Sequence, residues 1–450
     1  MRRLLFLSLF LPLHALSSSP PGCLFDSSVV SPPGRLHLGD AADFPNNTHI
    51  DRSYFPSHFI FGALTLAVKH EGYGSVNATE KADSIWDVYA RINSTVLDST
   101  QPSNCGDHYD RYKEDIEILE QIGMDAYWFS IAWTRIFPND TVPNATANAD
   151  AIAHYNELID LLLEKGIEPH VTLWAGDHPQ ALEDEYHGLL SARFIDDFVV
   201  YANACFAAFG NRVKFWITLD EPNDYASLAY ASTQSPPGRC RITMAAEGPY
   251  RHSSLVQMRA QDFYFGWFMD PLSFGDYPKS MKTMVGPRLP SFTPTQAAEL
   301  RASWDFLGLN VVSAMYAIDT SSVYQDTELG YFQDMRANVT DYDLDGVAIG
   351  EGTLDNPTMY ITETGWGIAS ALDMGENLND TARVQYFHSD YATLSEAIRD
   401  GGDVRGVFAW SLMDGFELFQ GLANRFGSSN STLAITTHSP LASATTLQNV

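Results

Sequence analysis

Positive charge is scarce in this chain. Its 450 residues carry 27 Lys and Arg against 56 Asp and Glu, a formal net charge of -29. So acidic a surface repels polyphosphates and anionic headgroups, which excludes non-specific binding to nucleic acid or to an anionic membrane face. Cysteine is scarce as well: Cys23, Cys105, Cys205 and Cys240 are the whole set. Four residues so scattered make neither a disulfide-rich scaffold nor the close pairs of a zinc site, and they leave both a disulfide or two and unpaired thiols open. Past the N-terminus no segment approaches the roughly 20 continuous apolar residues of a spanning helix. Several chemical motifs are also missing. There is no HExxH, the stretch Gly62-Ala63-Leu64-Thr65 does not supply a phosphate-binding loop, and Ser411 lacks a GxSxG setting. The motifs therefore call for no metal and no cofactor, and a hydrolase that works without either remains.

What is present is a large core. Hydrophobic residues make up 45% and aromatics 12%, enough for one large domain or two ordinary ones and too much for a disordered or fibrous chain. Arg2-Arg3, a Leu- and Phe-rich run over 4–13, Ala15 and a serine cluster at 17–19 have the order of a signal peptide, too short to span a bilayer. Eight Asn-x-Ser/Thr sequons, at Asn46, Asn77, Asn93, Asn139, Asn144, Asn338, Asn379 and Asn430, agree with passage through the secretory pathway as a glycoprotein. The expected destination is extracellular. The expected organisation is a signal peptide over 1–19, an extension rich in Ser, Pro, Gly and Asp over 20–53, one catalytic domain over 54–427 and an irregular tail over 428–450.

Within the domain, short apolar runs alternate with amphipathic stretches of helical length. Strands are predicted at 59–61, 126–131, 170–174, 215–219, 306–311, 359–362 and 406–411. Helices are predicted at 109–122, 152–165, 191–209 and 382–399, and a further one at 259–269. In the second helix Tyr155, Ile159, Leu162 and Leu163 recur at helical spacing. Buried runs each followed by a helix describe a parallel sheet. Asp220-Glu221, Glu363 and Glu417 all stand just beyond such runs. A (β/α)8 barrel gathers strand ends at one mouth, whereas a doubly wound sheet gathers them at one or two switch points, so the barrel is the better reading. Only seven strands are legible. Either the fifth is irregular or one βα unit is absent.

Two glutamates at the ends of separate buried strands are the minimum equipment for glycosidic cleavage. One protonates the leaving oxygen and the other attacks the sugar carbon, from about 5 Å away in retaining enzymes. Glu221, in Thr218-Leu219-Asp220-Glu221-Pro222-Asn223, and Glu363, in Ile361-Thr362-Glu363-Thr364-Gly365, fit that requirement. The plainer alternative is that each carboxylate only satisfies nearby backbone or sits in solvent. Trp133, Trp174, Trp366, Trp410 and Phe416 lie near strand ends, where flat rings can cover the apolar face of a sugar. Trp216, inside a strand, is assigned to the core.

Several blocks between about Tyr54 and Gly427 bear a specific resemblance: Phe55-Pro56-Ser57-His58-Phe59-Ile60-Phe61-Gly62, Asp107-His108-Tyr109, Ile167-Glu168-Pro169, Pro179-Gln180-Ala181-Leu182, Gly266-Trp267-Phe268-Met269-Asp270-Pro271 and Gly275-Asp276-Tyr277-Pro278. With the two glutamates they resemble glycoside hydrolase family 1, the β-glucosidase family, and most closely its secreted fungal or plant members. The resemblance implies a retaining β-glycosidase that takes terminal β-D-glucosyl residues from small β-glycosides or short β-linked oligosaccharides. It implies Glu221 as acid/base and Glu363 as nucleophile. Trp410 would form the floor beneath the sugar, and Glu417 would bind its outer hydroxyls.

The departures from that family are numerous. Lys69 takes the place of a sugar-binding glutamine, Asp220 that of an asparagine reading the 2-hydroxyl, and Ala175 that of a histidine. Trp128 stands where an arginine supports the nucleophile and Val312 where a tyrosine does. Thr364 and Gly415 each replace an asparagine, and Leu418 a tryptophan. Fewer than twenty residues stand where the family has a long helix and its fifth strand, and the usual C-terminal closing segment is missing after Arg425-Phe426-Gly427. The barrel is therefore expected to be incomplete around the fifth strand. A catalytically impaired member with weak carbohydrate binding is the alternative these changes raise.

Overall fold

A computed structural model of the chain describes residues 50–72, 81–92, 96–138, 146–231, 236, 254–301, 303–310, 316–321, 330–340, 358–369 and 381–427. In chain order its strands are β1 (Ile60–Thr65), β2 (Ala126–Ser130), β3 (Glu168–Thr172), β4 (Phe215–Ile217), β5 (Leu307–Asn310), β6 (Tyr316–Asp319), β7 (Ala337–Thr340), β8 (Met359–Thr364), β9 (Ile368–Ala369), β10 (Val404–Ala409) and β11 (Asn424–Arg425). The described residues fall into two units, one of 50–217 with 358–427 and one of 218–357. The fold is α/β, and its parallel sheet is an incomplete barrel of the (β/α)8 kind.

In the larger unit the parallel sheet runs in the order β4-β3-β2-β1-β10-β8. The register sets Ile60 opposite Gly406, Gly62 opposite Ala126, Ala126 opposite Glu168, His170 opposite Phe215 and Val407 opposite Ile361. Every residue of β2 is buried, which is the pattern of a strand covered on both faces. Gly62 allows the close approach of β10: a Cβ there would lie 2.4 Å from the Phe408 ring and 2.9 Å from the Ala126 carbonyl oxygen. The sequence-read strands and helices reappear with ends shifted by a few residues, the helices at His108–Gln121, Ala149–Glu164, Arg193–Phe209 and Thr381–Arg399.

Local chemistry explains the helix ends. Asn148 starts Ala149–Glu164 by accepting from the Asp150 amide, and Ser84 with Asp87 forms a capping box on Ile85–Ala90. One face of Ala149–Glu164 differs from expectation. Ala151, Tyr155, Leu158, Ile159 and Leu162 make the buried stripe, while Leu163 is 42% exposed. At 100° per residue Leu163 has turned past the edge of the stripe that Leu162 anchors.

The smaller unit carries β5 and the antiparallel hairpin β6–β7. Between 222 and 306 its described residues contain no strand, in keeping with the expected loss around the fifth strand. The helix expected at 259–269 is part of a longer helical run, Ser254–Gln261, Asp262–Gly266 and Trp267–Phe274. Val256, Ala260, Phe263, Met281, Ala317, Met335 and Ala337 form one core cluster there, and Met269, Leu272 and Leu307 another. The Arg259 guanidinium fixes the hairpin to the helix by donating to the carbonyls of Met335 and Arg336.

Candidate active site

Glu363 is the penultimate residue of β8 and is buried, with Thr362 and Thr364 buried on either side. Successive strand residues face opposite ways, and Thr364 shows where its face leads. Its hydroxyl donates to Asp390 Oδ2 at 2.8 Å and accepts from the Tyr386 hydroxyl at 2.8 Å, both on helix Thr381–Arg399. Burial pushes the Asp390 carboxyl up from its ordinary value, against the pull of that hydroxyl. Thr364 is thus tied into the helix layer, and Glu363 faces away from it.

Glu221 belongs to the smaller unit. Its backbone is left-handed (φ 47°, ψ 43°), immediately before a helical turn at Pro222–Asp224. A non-glycine residue pays of order 1 kcal/mol for that conformation. Asn310, the last residue of β5, donates from Nδ2 to Glu221 Oε1 at 2.7 Å. Asp220 and Asn223 beside it are buried. Asn310 lay within an expected strand without an expected role; a polar residue closing an otherwise apolar run was the available signal.

The structure brings Lys69, Trp410 and Glu417 together. Lys69 Nζ lies 3.4 Å from Glu417 Oε2 and 3.9 Å from the centroid of the Trp410 ring. Trp410 is 5% exposed, and the Lys69 and Glu417 side chains are 13% and 10% exposed. Burial raises the Glu417 carboxyl, and the Lys69 ammonium offsets part of the rise. Glu417 Oε1 is buried without a hydrogen-bond partner among the described residues. Backbone contacts hold the cluster in place: the Phe416 amide donates to the Lys69 carbonyl at 2.7 Å, and the Glu417 amide to Gly421 at 2.8 Å.

His70, which the sequence did not single out, stands edge-on to Trp410 at 5.4 Å between ring centroids. Its Nδ1 lies 3.1 Å from both the amide nitrogen and the carbonyl oxygen of Leu66, and its Nε2 lies 3.1 Å from the Met413 carbonyl oxygen. Burial, with Lys69 adding to it, pushes the imidazole down to about 3. Gly415 leaves the room this ring fills.

Other expected positions have structural duties. Trp133 stacks on Tyr201 at 4.7 Å, and Trp174 packs on Phe194 and lies within 3.4 Å of His178 Nδ1, so both work as core rings. Phe416 is fully buried near Trp86, and Trp366 is half-buried against Tyr386. Trp128 is buried, packs on Phe408 and donates its indole N–H to Thr172 Oγ1. The Ala175 amide donates to Asp177, which burial pushes up to about 7. Cys105 and Cys205 are buried free thiols. Cys23, Cys240, Val312 and the sequons at Asn46, Asn77, Asn93, Asn139, Asn144, Asn379 and Asn430 lie outside the described residues, as does the side chain of Asn338. Among the described residues no group of three or more His, Cys, Asp or Glu could hold a metal ion, and no helix is long and apolar enough to cross a membrane.

Comparison with known proteins agrees over most of the chain. The family model described as glycosyl hydrolase family 1 matches residues 51–257 and 240–430. Beta-glucosidase 17 of Arabidopsis thaliana is 35% identical, with 89% of this chain and 91% of that protein covered. The crystal structure of a rice β-glucosidase superposes with a TM-score of 0.81 at 33% identity, covering 89% of this chain and 99% of the other. A β-glucosidase from Trichoderma harzianum gives 0.77 at 29% identity, covering 90% and 98%.

Proposed function

The chain belongs to glycosyl hydrolase family 1, and from that premise we propose that it is a retaining β-glycosidase releasing terminal non-reducing β-D-glucosyl residues from small β-glycosides or short β-linked oligosaccharides. Glu363 attacks the anomeric carbon while Glu221 gives its proton to the departing oxygen. The glycosidic C–O bond breaks as the bond to the Glu363 carboxylate forms. Water, giving its proton to the same Glu221, then displaces Glu363 and restores both carboxyl groups to their starting states. Two inversions leave the anomeric configuration retained.

The observation that carries this reading is that a chain of this family keeps both carboxylates: one buried at the end of β8, the other after β4 with Asn310 on its Oε1. That hydrogen bond holds the Glu221 carboxyl in one orientation. Trp410 offers a ring to the apolar face of the glycone, and Glu417 offers acceptor oxygens to its hydroxyls.

Release of the aryl group from a panel of aryl β-glycosides, between about pH 4 and 8, tests the reading on folded protein. Turnover abolished by Glu363→Ala supports it. A Glu363→Ala protein that keeps the wild-type rate removes the nucleophile assignment. Folded wild-type protein without turnover on any sugar favours the impaired alternative.

A further inference from the structure

Lys69 and a stacked sugar cannot hold the same place. An ammonium 3.9 Å above the Trp410 centroid occupies the layer in which a sugar's C–H face would sit on the indole, because apolar contact distances are about 3.5 to 4.0 Å. The same nitrogen is 3.4 Å from Glu417 Oε2, an oxygen to which a sugar hydroxyl would donate. One aromatic contact and one carboxylate contact are what a glycone would make here. Lys69 makes both.

We propose that Lys69 is an internal occupant of the glycone position and sets how tightly this protein takes a neutral sugar: the sugar enters by displacing the ammonium from Trp410 and Glu417. The inference rests on the assignment of Trp410 and Glu417 as glycone contacts in the reading above.

The backbone makes the displacement possible. Lys69 lies in the short helix Ala67–His70, directly after β1, and its carbonyl is fixed by the Phe416 amide at 2.7 Å. The Cα therefore cannot leave the site, whereas the unbranched four-carbon stem can swing. Both contacts hold the head group in place, since a cation over an indole and an ion pair are each stronger where water is largely excluded. The Lys69 side chain is 13% exposed and that of Glu417 10%. The cost falls on a neutral glycone, which must replace a charged partner of Glu417 with hydroxyl donors.

The test is calorimetric titration of the full chain with D-glucose, alongside KM for an aryl β-glucoside. The proteins are wild type, Lys69→Gln, Lys69→Ala and Trp410→Ala. Both Lys69 variants are expected to bind glucose at least about tenfold tighter than wild type and to show a KM lowered in parallel. Using two variants guards against one that folds poorly. As an independent readout, acylation of Lys69 read by mass spectrometry is expected to be slow in the free protein and faster with saturating glucose. Glucose binding by wild type that is equal to or tighter than binding by both variants overturns the inference and makes Lys69 a sugar ligand or a bystander. An acylation rate unmoved by glucose overturns it as well. If neither wild type nor any variant binds glucose or turns over the glycoside, the parent reading fails and the inference with it.

Discussion

Gly415 and His70 are fitted to each other: a Cβ built at Gly415 would lie 2.7 Å from both Cδ2 and Nε2 of the His70 ring and 2.7 Å from the Lys69 carbonyl oxygen. The Gly415 backbone is not left-handed, so space and not torsion restricts the position. Gly415→Ala is expected to cost about 1 to 3 kcal/mol by overpacking. The cost should shrink by about 1 kcal/mol or more in a His70→Ala background, where the opposing ring is gone. Urea unfolding of the four proteins of this cycle measures the coupling. Costs that simply add would show that the His70 ring is not what excludes a side chain at 415.

Asn310 is expected to hold Glu221 in place for the reaction. Its amide donates to Oε1 at 2.7 Å. Asn310→Ala should lower kcat/KM by about 10- to 100-fold, the worth of a hydrogen bond to a charged group. The urea midpoint of Asn310→Ala should stay close to that of wild type, since the bond serves the site and not the core. An unchanged kcat/KM in Asn310→Ala would show that the hydrogen bond does not position Glu221 for the reaction.

Asp177 gives the stability a pH dependence of known sign. Burial raises its carboxyl from 3.8 to about 7, against the Ala175 and Asp177 amides and the Lys81 charge. Between those values the folded state holds a proton that the unfolded state has released, so this residue's contribution to stability falls as pH rises from about 4 to 7. Asp177→Asn keeps the acceptor for the Ala175 amide and removes the charge. It is expected to stabilise the protein at pH 8 by on the order of 2 to 4 kcal/mol relative to wild type, with no difference below about pH 4. Melting temperatures of both proteins at the two pH values decide it. A variant no more stable than wild type at pH 8 contradicts the raised carboxyl.

Chemistry and folding should separate cleanly between Glu363 and Trp216. The Trp216 ring is buried edge-on to Phe206 at 4.8 Å, and its indole donates to the Val213 carbonyl at 3.2 Å. Trp216→Ala is expected to cost about 3 to 5 kcal/mol. Glu363→Ala should remove turnover and leave the urea midpoint close to that of wild type. A large loss of stability in Glu363→Ala would mean that the carboxylate serves the fold.

Much of the architecture was legible in the residues because it follows from periodicities only a few residues long. The strand end that presents Glu363, the helices between strands and the core position of Trp216 all follow from which residues repeat at spacings of two or of three and four. Where that signal thins, the reading blurred. Leu163 looked like part of a stripe it borders, and Trp133 and Trp174 stood near strand ends yet turned into the core. No local pattern says which way a ring at a strand end will face.

The sequence by itself determined the α/β class, the two carboxylates and the loss around the fifth strand, since each is written in consecutive residues. Tertiary structure alone decided that Lys69 lies on Trp410 and Glu417, that His70 fills the space Gly415 leaves, and that Asn310 reaches Glu221. Those partners are far apart in the chain. Their meeting depends on strand order, register and the volumes of the side chains between them, which no local spacing encodes.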